Sequence, residues 1–170
     1  LVRRLRSGVD IATSELNECL DDLTAASERR REFLSPNDED ARYLNEIAIV
    51  KSFIGLRAES SVKDRGFFEE SRKIWRTLLE HNPAPETRLQ YLNNLLYFGI
   101  QYKDSAEVEK LLPEAKSELA KHSKAESFVY LNVEETILSA ALFLGIEDGG
   151  EQHRLEDDLA AVRQKLRNRR

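Results

Sequence analysis

The chain has 170 residues and a formal net charge of −5, from 26 basic and 31 acidic side chains. No basic patch dominates, which argues against nucleic acid as a partner, and no uninterrupted apolar run approaches the roughly 18 residues that a membrane span needs. Because Cys19 is the single cysteine, no internal disulfide can form and nothing favours an oxidising compartment, so we expect a cytoplasmic protein. The lack of a long apolar run predicts that it does not insert into a membrane.

The first 35 residues predict one long helix, because apolar or small residues recur there at alternating spacings of four and three. This is a heptad seam over three heptads. Gly8 should weaken its first turn by about 1 kcal/mol relative to Ala. The seam can pack on the next helices of the same chain or pair with a second copy, so a homodimer through helix one stays open. Its members are Leu5, Val9, Ala12, Leu16, Cys19, Leu23 and Ala26.

Residues 38–83 predict a helix pair. Asp38, Glu39 and Asp40 supply a cap and first-turn acids for a second helix that ends near residue 58. A polar loop follows, and a third helix covers residues 67–81. The segment Asn82-Pro83-Ala84-Pro85 ends it, since neither proline can donate a backbone hydrogen bond.

Residues 85–122 predict a second pair. The fourth helix, residues 86–102, should be central, because it is apolar over most of its circumference. Asp104 or Ser105 should cap the fifth helix, and Pro113 should kink it or restart it. The apolar side chains of the fourth helix are Leu89, Tyr91, Leu92, Leu95, Leu96, Phe98 and Tyr102.

Residues 124–168 predict the last pair, with a sixth helix over 124–144, a breaker at 145–150 and a seventh helix behind it. The cations that follow Val162 suit a helix C-terminus, where they complement the dipole. Seven helices and no credible strand make the chain all-α. Because the sequence contains no Met, even at position 1, we expect a piece of a longer protein or a processed one.

Helices three, five and seven share an inward trio at positions i, i+4 and i+7. The trios recur after 37 and 47 residues, as expected for stacked helical hairpins in which no pair can bury its own face alone. They are Ser71–Trp75–Leu78, Val108–Leu112–Ala115 and Leu155–Leu159–Val162.

The run from Ser71 through Trp75, Leu78 and Leu79 to Pro83 resembles the second helix of a tetratricopeptide repeat. The next helix continues in phase, with Leu89, Leu92 and Leu96 where that family has Trp, Leu and Tyr, and with Asn93 where it has Gly. Repeat length varies and the later repeats lack the proline, so another helical repeat or an irregular bundle stays open. The resemblance implies a right-handed α-solenoid of about three antiparallel helix pairs behind the long first helix, within a single domain over residues 1–170.

The resemblance also implies that the first helix of each pair, here helices two, four and six, lines a groove for a partner peptide or helix. Asn94 falls where chaperone-binding members carry Asn, whereas Gln90 replaces their Lys, which puts recognition of a C-terminal carboxylate in doubt. Alternatively, these polar stripes are solvated surface or bond between neighbouring helices. The predicted partner-binding residues are Asn45, Gln90, Asn94, Tyr97, Gln101, Asn132 and Glu135.

No catalytic residue, metal site or cofactor is predicted. His81, His122 and His153 are far apart in sequence and none has a metal-ligand spacing. No phosphate-binding loop or nucleophile motif occurs. We therefore expect a non-catalytic scaffold or adaptor that binds a protein segment. A regulatory or oligomerisation segment of a larger signalling protein is the alternative, and an enzyme whose site assembles from distant residues is a remote one.

Overall fold

The computed structural model of the chain describes residues 12–33, 38–57, 65–122, 127–145 and 149–169. Within these ranges the chain forms seven α-helices and no strand, which confirms the all-α class; the solenoid arrangement stays a prediction. The helices are α1 (Thr13–Phe33), α2 (Asp38–Leu56), α3 (Arg65–Glu80), α4 (Pro85–Gln101), α5 (Ser105–Ala120), α6 (Phe128–Leu144) and α7 (Gly149–Arg167).

The helices belong to two units, Leu1–His81 and Asn82–Arg170, and the boundary in the sequence falls at the predicted proline-rich stop. In the first unit α2 packs against both α1 and α3. In the second unit α4 packs against α5 and α6, α5 against α6, and α6 against α7. The predicted single repeat domain stays a prediction.

The predicted seam of α1 is used inside the first unit. Leu16 is fully buried in a cluster with Val50 and Ile54 of α2, and Cys19 and Leu23 pack against that cluster. Of the two alternatives for the seam, intramolecular packing is therefore the one found for these residues. Ala12 is exposed, contrary to the prediction, because it precedes the first turn of α1; Leu5, Gly8 and Val9 lie outside the described residues.

The contact of α2 with α3 uses the first predicted trio, and all three of its members are buried. The small side chain of Ser71 lets the two helices approach, and its hydroxyl lies 2.8 Å from the carbonyl oxygens of Ala48 and Phe67. Trp75 is fully buried, and its Nε1–H donates to Oδ1 of Asn45 at 2.9 Å. A buried indole N–H needs such a partner, so Asn45 belongs to the interior of this unit.

Helix α4 is the most enclosed element of the second unit, as its apolar circumference predicted. It approaches α5 closely at Gly99, where a Cβ would lie only 2.9 Å from Cγ2 of Val108. The family resemblance placed a glycine-like position at Asn93 instead. Asn93 is buried, but the close approach is made six residues later.

The end of α4 is a Schellman motif. The Asp104 N–H donates to the carbonyl of Gly99 at 2.9 Å, and the Lys103 N–H donates to that of Ile100 at 3.0 Å. Lys103 has a φ of 56°, in the left-handed region. Asp104 then caps α5, as predicted, by accepting from the Glu107 N–H at 3.2 Å.

The fifth helix does not restart at Pro113, because α5 is a single helix from Ser105 to Ala120 with Pro113 inside it; the kink stays a prediction. Proline removes the hydrogen bond to the carbonyl of Glu109. Both residues are exposed, so water can take the lost place. A proline on the solvent side of a helix is therefore tolerated here.

Helix α6 begins after Ser127, whose hydroxyl accepts from the Tyr130 N–H at 3.5 Å, while the predicted start at 124 falls outside the described residues. It ends at Gly145, which has a φ of 60°. Helix α7 packs Val162 and Leu166 against Leu131 of α6. This contact places the α7 side chains that follow Leu159 beside the polar residues of α6.

Candidate functional site: the surface of helices α4 and α6

The predicted polar stripe of α4 divides into buried and accessible side chains. Tyr97 is 39% exposed, one of the two large hydrophobic side chains that stand open to solvent in the described ranges. Gln90 and Gln101 are half-buried on the same helix. Asn94, in contrast, is only 7% exposed. The accessible part of the stripe is therefore Gln90, Tyr97 and Gln101.

Two of the predicted partner-binding amides lie inside their units. Asn45 is 8% exposed and is bonded to Trp75, so a partner could reach it only by opening the contact of α2 with α3. Asn94 is enclosed in the same way within the second unit. Both helices are covered on more sides than the sequence shows, which is why polar residues assigned to a groove became interior ones.

Tyr97 and Glu135 lie on α4 and α6, which pack together, and are near enough for the charge of Glu135 to act on the Tyr97 phenol. The Tyr97 ring meets the buried Phe98 ring edge to face, with centroids 5.1 Å apart and planes at 85°. Burial raises the pKa of the Tyr97 phenol, and the nearby carboxylate of Glu135 raises it further. An accessible aromatic face with a negative charge beside it therefore marks this part of the surface.

Glu135 also bonds to α7. The Nε–H of Arg163 donates to Glu135 Oε1 at 2.8 Å, with the two side chains 50% and 28% exposed. The sequence had assigned Arg163 only to the cationic helix end. The two residues are 28 positions apart, and no local pattern links them; their pairing follows from the packing of α7 on α6.

Asn132 lies one turn before Glu135 on α6, and Gln90 lies two turns before Tyr97 on α4. Asn132 is half-buried on α6, and its backbone carbonyl accepts from the Thr136 hydroxyl at 3.1 Å. Within the described ranges no hydrogen bond engages the side-chain amides of Gln90 or Asn132. Both amides can therefore bond to a molecule that covers the surface.

The charged side chains of α6 are all acidic. Helix α6 contains Glu134 and Glu135 and no Lys or Arg. Helix α4 contains one cation, Arg88, which is paired with Glu114 and lies 3.7 Å from Glu118, both on α5. The surface therefore offers carboxylates and amides, while Arg88 is paired with α5 and Arg163 of α7 is paired with Glu135.

A second charged cluster surrounds Glu118 at the end of α5. Its carboxylate accepts from Lys121 Nζ at 2.8 Å and has His122 Nε2 at 3.8 Å. The hydrogen bond from Lys121, and then the charges of Lys121, Arg88 and His122, lower the pKa of Glu118 against its burial. The His122 ring lies 5.7 Å from that of Tyr130, so the cluster joins α4, α5 and the start of α6.

Within the described residues no three His, Cys, Asp or Glu side chains lie close enough together to hold a metal ion. None of the helices described is long and apolar enough to cross a membrane. No family model, no curated protein and no solved structure matches the chain. The tetratricopeptide resemblance therefore stays a prediction from the motif at Ser71 to Pro83.

Proposed function

We propose that the chain is a non-catalytic protein-interaction module that holds a segment of a partner protein against α4 and α6. The α4–α6 surface, as we call it, consists of Gln90, Tyr97, Gln101, Asn132 and Glu135. The observation that carries the proposal is the open Tyr97 ring, which packs on the buried Phe98 and has the Glu135 carboxylate nearby.

These residue types suit peptide recognition. Tyrosine is enriched at protein interfaces because it offers a large contact area, a polar end and few rotamers to restrict. Side-chain amides can both donate to and accept from the backbone of an extended segment. Tyr97 would supply the central contact, and the amides of Gln90 and Asn132 would bond to the partner's main chain on either side.

The proposal includes a scaffold or adaptor role in the cytoplasm. Cys19 is half-buried against the α1–α2 core, and burial raises the pKa of its thiol, with the carboxylates of Asp22 and Glu46 adding to the shift. A thiol with a raised pKa has little thiolate and reacts slowly. Such a cysteine suits a structural role in a reducing compartment.

Selection from a library of random 12-residue peptides displayed on phage tests this function and does not require the partner to be identified. We expect enriched peptides to bind the unaltered chain and to bind Tyr97→Ala at least about tenfold more weakly, since a central interface aromatic contributes about 2 kcal/mol or more. Tyr43→Ala is the matched control, because it makes the same substitution at a half-buried tyrosine of α2, in the first unit.

Peptides that lose affinity for Tyr97→Ala and keep it for Tyr43→Ala would support binding at the α4–α6 surface. Peptides that bind Tyr97→Ala as well as they bind the unaltered chain would contradict binding at this surface. A selection that enriches no sequence would also contradict the proposal.

A further inference from the structure

We infer that Tyr97 and Glu135 form a receiving position for an arginine side chain of the bound segment. The inference rests on the proposed function and adds the chemistry that the partner must present. Its observations are the open ring of Tyr97, the partial use of the Glu135 carboxylate and the charge of the α4–α6 surface.

The first observation is that Glu135 already binds a guanidinium through only one of its oxygens. Arg163 donates from Nε to Oε1 at 2.8 Å. Among the residues that the structure describes, none donates to Oε2. A carboxylate can accept several hydrogen bonds, and a guanidinium carries five N–H donors. Glu135 therefore has room for a second cation, and Arg163 shows that a guanidinium can reach it.

The second observation is the aromatic surface beside this carboxylate. Tyr97 is 39% exposed, and its orientation is set by the edge-to-face contact with Phe98. A planar guanidinium is weakly hydrated and can stack on an aromatic ring while its N–H groups bond to a carboxylate. A lysine ammonium is compact and strongly hydrated, so it would gain less from the same position.

The third observation is charge complementarity. Helix α6 has Glu134 and Glu135 and no basic residue, and Arg88 of α4 is engaged by Glu114 and Glu118. An incoming cation therefore meets two carboxylates on α6, of which Glu135 forms an ion pair with Arg163 in the described ranges. Its one internal competitor within the described ranges is Arg163, and because exposed ion pairs are weak, a partner's arginine can compete for the carboxylate.

This competition predicts the direction in which the affinity for arginine changes when Arg163 is replaced. If Arg163 occupies part of the position that the partner's arginine uses, then Arg163→Gln should strengthen binding. If the pair of Arg163 and Glu135 only joins α6 to α7, the same change should leave binding unaltered or weaken it.

The experiment is an NMR titration of the full ¹⁵N-labelled chain with N-acetyl-arginine amide. N-acetyl-lysine amide and N-acetyl-citrulline amide are the comparison ligands, and citrulline has nearly the shape of arginine without its charge. A single side chain should bind with a dissociation constant of about 1 mM or weaker. We expect saturable shifts at the amides of residues 97 and 135 and binding about threefold tighter for arginine than for lysine, from stacking on Tyr97. Citrulline should produce no saturable shift.

Variants of the chain test whether Glu135 binds the arginine and whether Arg163 competes with it. We expect Glu135→Gln to weaken arginine binding at least about fivefold, because the charge-assisted bond is lost. We expect Arg163→Gln to strengthen it about twofold, as removal of a weak surface competitor should. Glu109→Gln, an exposed carboxylate change on α5, should have no effect. The ¹⁵N spectrum of each variant shows directly whether it is folded.

Equal binding of arginine and citrulline, or unaltered affinity in Arg163→Gln, would overturn the inference. If the arginine probe fails but the selected peptides still need Tyr97, the proposed function stands and only the arginine position is refuted. If the peptides do not need Tyr97 either, both proposals fail.

Discussion

The hydrogen bond between Trp75 and Asn45 should contribute measurably to the stability of the first unit. Asn45→Ala removes the acceptor and leaves the indole N–H of Trp75 buried without its partner at 2.9 Å. An unsatisfied buried donor costs about 1–3 kcal/mol. Asn45 makes further interactions, so the single variant alone cannot assign the cost to this bond. Trp75→Phe removes the donor as well, and the double variant completes the cycle.

The four proteins of this cycle would be compared by urea unfolding followed by far-UV circular dichroism. With a urea m-value of about 2 kcal/mol per M, a loss of about 2 kcal/mol moves the midpoint by about 1 M. We expect Asn45→Ala to cost about 1 kcal/mol less in the Trp75→Phe background than in the unaltered chain. Asn132→Ala, at an accessible amide, is the control and should cost less than about 0.5 kcal/mol.

An equal cost of Asn45→Ala in both backgrounds would refute the reasoning. The bond would then contribute nothing, and Asn45 would again be a candidate for contact with a partner.

Three further predictions concern the second unit. Gly99→Ala should destabilise the protein by about 1–3 kcal/mol, since its Cβ would overlap Val108. The double variant with Val108→Ala should lose less stability in thermal unfolding than the sum of the two single variants. Strict additivity of the two losses would contradict the close contact. Lys103→Gly should stabilise by about 1 kcal/mol, because glycine has no strain at the left-handed φ of 56°; a lower urea midpoint would contradict this. Glu118→Gln should lower stability near pH 7, because the hydrogen bond from Lys121 lowers the pKa of the folded-state carboxyl below its ordinary 4.5. That deficit should be complete above pH 4.5 and shrink as the pH falls through the lowered pKa; a deficit equal at about pH 7 and about pH 3 would argue against it.

The helices could be predicted from the sequence because strong local signals bound them. The fourth helix was expected over residues 86–102 and is found over Pro85–Gln101, between a proline-rich stop and the cap at Asp104. The buried residues of α3 could also be predicted, since Ser71, Trp75 and Leu78 fall on one helical face. A period of about 3.6 residues reports which face is apolar, and here that face is the buried one.

The site was harder to predict, because periodicity does not report which neighbours cover a helix. Asn94 and Tyr97 belong to one polar stripe, yet the first is buried and the second exposed. The pairing of Arg163 with Glu135 and the close approach at Gly99 depend on how consecutive helices pack, which the pattern of a single helix does not show. The one available signal for such an approach was Gly99, a glycine inside a helix. The family resemblance drew attention to Asn93 instead, because the tetratricopeptide repeat has Gly at that position.

The location of Trp75 determines what spectroscopy of this protein reports. It is the single tryptophan of the chain, fully buried in the first unit, whereas residues 82–170 contain four tyrosines and no tryptophan. Indole emission during denaturation therefore follows the loss of packing around α3, while circular dichroism follows the helices of both units. The separation between those two curves would measure directly whether the two halves of the chain unfold in one cooperative step or in two.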